Sequence, residues 1–233
     1  ILFLALALTQ VITSCTSSTS TDNTLKAGTW RVSLQRTDGK EIPFIMEAEE
    51  KDGKTVLYLV NGEERILVDD IKQEGDSLKI RLHIFDADLI LKPEGDKMAG
   101  RFVRNDLDYR YSLPFTAELG NNNRFKANPA PATFNYDGKW QVVFTDKDGK
   151  SYDAIGVFKQ DGNKATGTFL TETGDYRYLE GQVEGNELML STFDGNHAYL
   201  FTATPEGDST LRGNFYSGMD YIETWTAKRN PDA

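Results

Sequence analysis

Residues 138–229 repeat residues 28–118 at a near-constant offset, and no other feature constrains the fold of this chain as much. Gly28-Thr29-Trp30 matches Gly138-Lys139-Trp140, and 140 − 30 gives an offset of 110 residues. Asp38-Gly39-Lys40 meets Asp148-Gly149-Lys150, Gly75 with Leu78 meets Gly185 with Leu188, and Phe115-Thr116-Ala117 meets Trp225-Thr226-Ala227, all at 110. Between these anchors Ile84-Phe85-Asp86 meets Thr192-Phe193-Asp194 at 108, and Gly100-Arg101-Phe102 meets Gly213-Asn214-Phe215 at 113, so the drift falls in loops. A long-period repeat changes the domain count, and here it gives two tandem units of roughly ninety residues each.

Each unit reads as β structure. Trp30, Val32 and Leu34 alternate with Arg31, Ser33 and Gln35, and Trp140, Val142 and Phe144 repeat the pattern. Period two over a short run puts one face in a core and the other in solvent. Leu78, Ile80, Leu82 and Ile84 form another such face, and His197, Tyr199 and Phe201 oppose Ala198, Leu200 and Thr202. Turn signals such as Asp52-Gly53, Asn61-Gly62, Gly162-Asn163 and Asp194-Gly195 recur along both units, because Gly, Asn and Asp tolerate the positive φ that tight hairpins demand. Hairpins in series imply an up-and-down meander, and about eight strands per unit suffice to close a barrel. The expectation is an all-β fold of two tandem antiparallel up-and-down β-barrels. The Gly-x-Trp opening of each unit resembles the first strand of lipocalins and streptavidin-type barrels. Residues 119–137, rich in Asn and Pro, read as an interdomain linker, and 230–233 as the start of a further linker.

The N-terminal residues carry a different signal. An apolar run from Ile1 to Leu8 precedes Ile12-Thr13-Ser14-Cys15. That run falls far short of the roughly 20 residues of a membrane span and reads as the end of a secretory signal over residues 1–14, truncated at its N-terminus. Ile12-Thr13-Ser14-Cys15 resembles a bacterial lipobox, which implies lipidation of Cys15. Residues 15–27 would then be a polar tether, and the chain would be lipid-anchored in the bacterial cell envelope, on its periplasmic or outer-membrane face.

Composition narrows the chemistry. A formal charge of −10, shared between the two units, opposes binding to nucleic acid. Cys15 is the single cysteine, which excludes an internal disulfide, a CxxC redox pair and a cysteine zinc site within these residues. No cofactor or metal motif is present: Asp146-Lys147-Asp148-Gly149 lacks the later ligands of a calcium loop. Asp86 and Asp88 share a strand face and read as solvated. Asp194 and His197 lie within reach across a turn, the pairing that orients an imidazole for proton transfer, but no Ser or Cys nucleophile can be assigned to them and the segment also reads as a turn entering a strand. Aromatic residues gather in the second unit, among them Tyr176, Tyr178, Tyr199 and Tyr216. Inside a barrel they either fill the interior or, with Asp194 and His197, line a pocket for one small apolar ligand. A filled core is the simpler account.

The runs Gly167-Thr168-Phe169-Leu170-Thr171-Glu172-Thr173-Gly174-Asp175-Tyr176-Arg177-Tyr178, Leu190-Ser191-Thr192-Phe193-Asp194-Gly195-Asn196-His197 and Phe215-Tyr216-Ser217-Gly218 resemble the N-terminal region of TlpA-like thiol-disulfide reductase lipoproteins of Bacteroidetes-type bacteria. The resemblance covers residues 138–229, with 28–118 following more loosely. It implies a non-catalytic front end that positions a downstream thioredoxin-fold domain bearing a Trp-Cys-x-x-Cys, which this sequence does not contain. The alternative is a lipocalin-like lipoprotein that binds a small apolar ligand in its second barrel.

Overall fold

The computed structural model describes residues 24–107 and 111–233, and the signal segment, Cys15 and most of the tether lie outside the described residues. The first sheet comprises β1 (Gly28–Gln35), β2 (Glu41–Lys51), β3 (Lys54–Asn61), β4 (Glu64–Val68), β5 (Asp70–Glu74), β6 (Ser77–Leu82), β7 (Ala87–Glu94), β8 (Lys97–Arg104) and β9 (Tyr111–Leu119). The second comprises β10 (Gly138–Thr145), β11 (Ser151–Asp161), β12 (Lys164–Thr171), β13 (Gly174–Asp175), β14 (Leu179–Glu184), β15 (Glu187–Phe193), β16 (Ala198–Gly207), β17 (Thr210–Ser217) and β18 (Tyr221–Arg229). Every ladder is antiparallel and links neighbours in the chain, except that β12 pairs β14 past β13, and that β1 pairs β9 and β10 pairs β18 to close each meander into a barrel.

The duplication extends to the hydrogen-bond register. Gly28 faces Ala48 and Trp30 faces Leu119; 110 residues on, Gly138 faces Phe158 and Trp140 faces Arg229. Register in a sheet is fixed by which face is buried, since a one-residue slip turns every side chain around. The Gly-x-Trp signature has a shared physical cause. Gly28 and Gly138 enter their strands at φ 131° and 110°, a region open to glycine and strained for other residues. Each turn carries the chain so that the indole N–H two residues later donates to a carbonyl four residues back: Trp30 to Lys26 at 3.0 Å, Trp140 to Tyr136 at 2.8 Å.

The copies diverge at their fourth strand. In the first barrel β4 and β5 are separated by Asp69 alone, and the chain passes through it from pairing with β3 to pairing with β6. In the second, the equivalent ladder is cut to Gly174 and Asp175, and β14 pairs directly with β12, giving a closed ring of eight strands, β10-β11-β12-β14-β15-β16-β17-β18. The residues freed by that cut, Tyr176, Arg177 and Tyr178, form a short bulge in which Tyr176 packs on the second core while Arg177, at φ 58°, and Tyr178 are exposed.

The barrels are packed against each other. Phe193, Ala198, Leu200 and Tyr216 of the second unit belong to the hydrophobic core of the first. Phe193 stands at the first barrel's mouth, its ring 4.4 Å from Phe44 and 5.0 Å edge-on from Phe102. Its backbone is clasped by the buried Asn61 amide, which donates to the Phe193 carbonyl at 2.9 Å and accepts from its N–H at 3.1 Å. Residues 119–137, expected as a linker, pack against both units, and Leu119 itself ends β9. The buried Arg124 donates to the Pro43 and Val60 carbonyls of the first barrel and to Ser191 and Glu180 of the second, and Tyr136 is fully buried in the second core.

Two expected alternations differ in the structure. Ile84 is 66% exposed because β6 ends at Leu82. On β16 both faces are buried: Tyr199 and Phe201 pack on rings inside the second barrel, while Ala198 and Leu200 join the first core. A strand shared between two cores loses the polar side that alternation requires.

Candidate functional site

The second barrel is filled for most of its length by Phe144, Phe158, Phe169, Phe201, Phe215 and Trp225. A cleft of about 460 Å³ opens above them, lined by Phe85 of the first unit and by Thr171, Thr173, Gly174, Asp175, Tyr176, Arg177, Asp194, His197 and Tyr199. Three local devices build it. The bulge after β13 projects Tyr176 over the barrel end while its N–H still donates to the Phe169 carbonyl at 3.0 Å. The regular alternation of β16 turns Tyr199 inward, its ring centroid 5.4 Å from that of Tyr176 in an edge-to-face arrangement. The turn between β15 and β16 is folded around the Asp194 carboxylate, which accepts from the N–H groups of Asn196 and His197 at 2.9 and 2.7 Å and lies 2.9 Å from His197 Nδ1.

That turn fixes the electrostatics of the rim. Burial opposes the charge on Asp194, but the ring and backbone of His197 and the N–H of Asn196 outweigh it and hold the carboxyl below its ordinary pKa. The His197 Nδ1 lies against the ionised Asp194, and its other ring nitrogen, Nε2, lies 3.1 Å from the Asn196 amide. Arg177 sits 3.8 Å from Asp194 and is ion-paired with Glu64 of the first barrel.

Below the rim lies a polar layer. Glu223 on β18 accepts from Tyr221 Oη at 2.5 Å and from Tyr152 Oη at 2.8 Å, and the Tyr152 and Tyr176 hydroxyls lie 2.7 Å apart. Burial, and then the hydrogen bonds to Tyr176 and Glu223, push the Tyr152 pKa up; burial does the same for Tyr176 and Tyr199. The first barrel serves as an internal reference for this layer. Residues 110 positions before Tyr152 and Glu223 are Ile42 and Leu113, both buried and apolar.

The structure thus brings together four of the residues singled out from sequence, Tyr176, Asp194, His197 and Tyr199, in one cleft. Tyr178 and Tyr216 lie elsewhere. Tyr178 is 51% exposed, beside a groove of about 560 Å³ on the outer wall between the barrels; that groove is lined by strand exteriors and solvated lysines, without the inward rings and buried polar groups of the mouth. Tyr216 points into the first core, under Arg36 and Lys40, because on β17 it has the opposite parity to Phe215. Sequence reasoning missed Phe85, Tyr152, Arg177 and Glu223. The signal for Tyr152 and Glu223 was available: at matched positions of the repeat, an apolar residue in one copy is polar in the other. Asp86 and Asp88 do not form the solvated strand face expected of them: Asp86 precedes β7, Asp88 is buried with Asn105 as a partner, and Arg81 binds both. No group of three or more potential metal ligands occurs among the described residues.

No family model matches the chain, and no curated protein matches it. Among solved structures, EF1p2_mFAP2b bound to DFHBI is 17% identical, with a TM-score of 0.30 over 40% of this chain and 93% of that one. A protein of unknown function from the DUF3598 family of Nostoc punctiforme is 11% identical, with a TM-score of 0.31 over 88% of this chain and 96% of that one. A structure described as an outer membrane protein of Bacteroides fragilis is 11% identical, with a TM-score of 0.29 over 88% of this chain and 97% of that one.

Proposed function

We propose that this chain is a non-catalytic binding module of the bacterial envelope that takes a small, ring-sized ligand at the mouth of its second barrel. The observation that carries this reading is the cleft in which the rings of Phe85, Tyr176, His197 and Tyr199 stand beside the polar groups of Thr171, Asp175, Arg177 and Asp194, aromatic surface and convergent polar groups meeting in one recess. Asp194 and His197 serve there as a fixed polar pair at the rim, held in place by the turn's own N–H groups. A thermal-shift screen with small aromatic compounds tests the reading. A ligand that binds only the native state raises its melting temperature, and the rise should disappear in Tyr199→Ala. A panel that shifts neither protein, at concentrations up to millimolar, would count against it.

Lipidation of Cys15 belongs to the same reading and rests on Ile12-Thr13-Ser14 before it. Cys15→Ser should move the protein from the detergent phase to the aqueous phase; continued partitioning into detergent would remove the anchor.

A second reading is that the barrels hold a thioredoxin-fold domain in cis at the membrane. It is supported by the resemblance of residues 138–229 to the front end of TlpA-like reductases, and by the clasp of Asn61, Arg124 and Phe193, which makes a stiff platform of the two barrels. Reading the source gene beyond the codon for Ala233 tests it: an open frame encoding Trp-Cys-x-x-Cys supports it, and a stop codon there ends it.

A further inference from the structure

Among the described residues, five charged side chains are buried: Arg36, Asp88, Arg124, Asp194 and Glu223. Four of them meet an opposite charge. Arg36 binds Asp38, Asp88 binds Arg81 and Lys79, Arg124 binds Glu180, and Asp194 lies against His197 and Arg177. Glu223, 5% exposed, has two tyrosine hydroxyls and, among the described residues, no basic partner. Burying a charge is costly unless it is paired, and the first barrel shows that the fold does not need one here, since it places Leu113 at the same position.

The surroundings of Glu223 show what the missing partner looks like. Tyr152 and Tyr176 lie over it in a chain of hydroxyl contacts, and the rings of Phe215, Tyr221 and Tyr199 stand around them. Of the six buried side-chain polar atoms without a hydrogen-bond partner among the described residues, two face the interior of the second barrel: the Thr192 hydroxyl, directly opposite Tyr199 on the ladder, and the Trp225 indole N–H, on the same strand face as Glu223. A metal ion is a poor match, because hard cations need six or more oxygen ligands and no group of three or more potential metal ligands occurs among the described residues. An anionic ligand would meet Glu223 with like charge. Aromatic faces around a carboxylate suit a cation that is large, weakly hydrated and partly apolar.

We propose that the mouth of the second barrel binds an organic ammonium ion, held by the faces of Tyr176 and Tyr199 and by the buried charge of Glu223. This inference rests on the reading of the mouth as a binding site and adds the chemical class of the ligand. The cation enters from the cleft, and Glu223 acts from beneath through the hydroxyls of Tyr152 and Tyr176.

The test is isothermal titration of the whole chain with choline and with its neutral carbon isostere, 3,3-dimethyl-1-butanol. The pair share shape and differ in charge. Choline should bind about tenfold or more tightly than the isostere, and Glu223→Gln should erase that preference while leaving binding of the isostere in place. If Glu223→Gln fails to give the near-ultraviolet circular dichroism of the wild type, Tyr199→Leu replaces it: loss of the ring face should weaken choline more than the isostere. Equal binding of the two compounds, or a preference that survives Glu223→Gln, would overturn the ammonium assignment and leave the site. Binding of neither compound, together with a flat aromatic screen, would overturn the site as well.

Discussion

Asp194 shows how one residue both builds the rim and ties the fold to pH. Its carboxylate is almost fully buried, and its cost is offset by the N–H groups of Asn196 and His197 and by the His197 ring. The net effect is a carboxyl whose pKa in the folded chain lies below its ordinary value. The sign of the linkage follows. An unfolded chain takes up this proton first as pH falls, so the stabilisation is fully present above the unfolded value of about 3.9 and fades as pH drops through the lower, folded value. Asp194→Asn keeps the shape and removes the charge. It should lower stability near neutral pH by about 2 kcal/mol, the range for hydrogen bonds to a charged group, and the gap to wild type should narrow below about pH 4. Urea midpoints of both proteins at pH 7 and pH 3 measure this. A gap of the same size at both values would show that the carboxylate charge does not matter to the turn. Asn61 is the uncharged counterpart, a buried amide whose donor and acceptor are both spent on Phe193 of the other barrel.

At the scale of elements, the hairpin of β15 and β16 does two jobs at once. Its inward residues, Tyr199 and Phe201, belong to the second barrel, while Phe193, Ala198 and Leu200 close the mouth of the first. Phe193→Ala should therefore destabilise a barrel to which the residue does not belong in sequence. The expected loss is about 3–5 kcal/mol, as for a buried Phe truncated in a packed core, and hydrogen exchange should rise in β2 and β8, where Phe44 and Phe102 lose their ring contact. Faster exchange confined to β15 and β16 would contradict the plug. The same element shows where the sequence stops being legible. The repeat, the strands, the turns and the two-barrel fold could be read because each depends on spacing along the chain: Gly-x-Trp, Asp-Gly and period-two runs are local signals. What the hairpin touches is not local. Ala198 and Leu200 read as the other side of an ordinary strand, and Tyr216 as one more barrel aromatic, because nothing in the sequence reveals that their solvent face is covered by a second barrel. The site was half visible for a related reason. Tyr176, Asp194, His197 and Tyr199 stand out as residue types, whereas Glu223 looks like one of many surface carboxylates until β18 turns it inward between Tyr221 and Trp225.

For the whole molecule, duplication has produced two barrels that are alike in register and unlike in what closes them. The first is sealed by an apolar plug from its partner, and the second ends in tyrosines and an unpaired carboxylate. Small barrels are marginal on their own, and the first depends on Phe193, Asn61 and Arg124 to keep its mouth dry. Removing the second barrel would expose Phe44 and Phe102 to water, so unfolding of either unit removes stabilising contacts from the other. Residues 24–233 should accordingly unfold in a single calorimetric transition, with calorimetric and van't Hoff enthalpies equal for one unit of about 200 residues. A fragment of residues 24–119 should melt well below the intact chain, and binding of a ligand at the second mouth should raise the one transition as a whole. Two separable transitions, with only the upper or lower one moved by ligand, would mean that the barrels fold independently and that the buried contacts between them add little. A single transition would instead make the plug a route by which events at the ligand cleft reach the first barrel, because one short turn joins Phe193, packed in the first core, to His197, which lines the cleft.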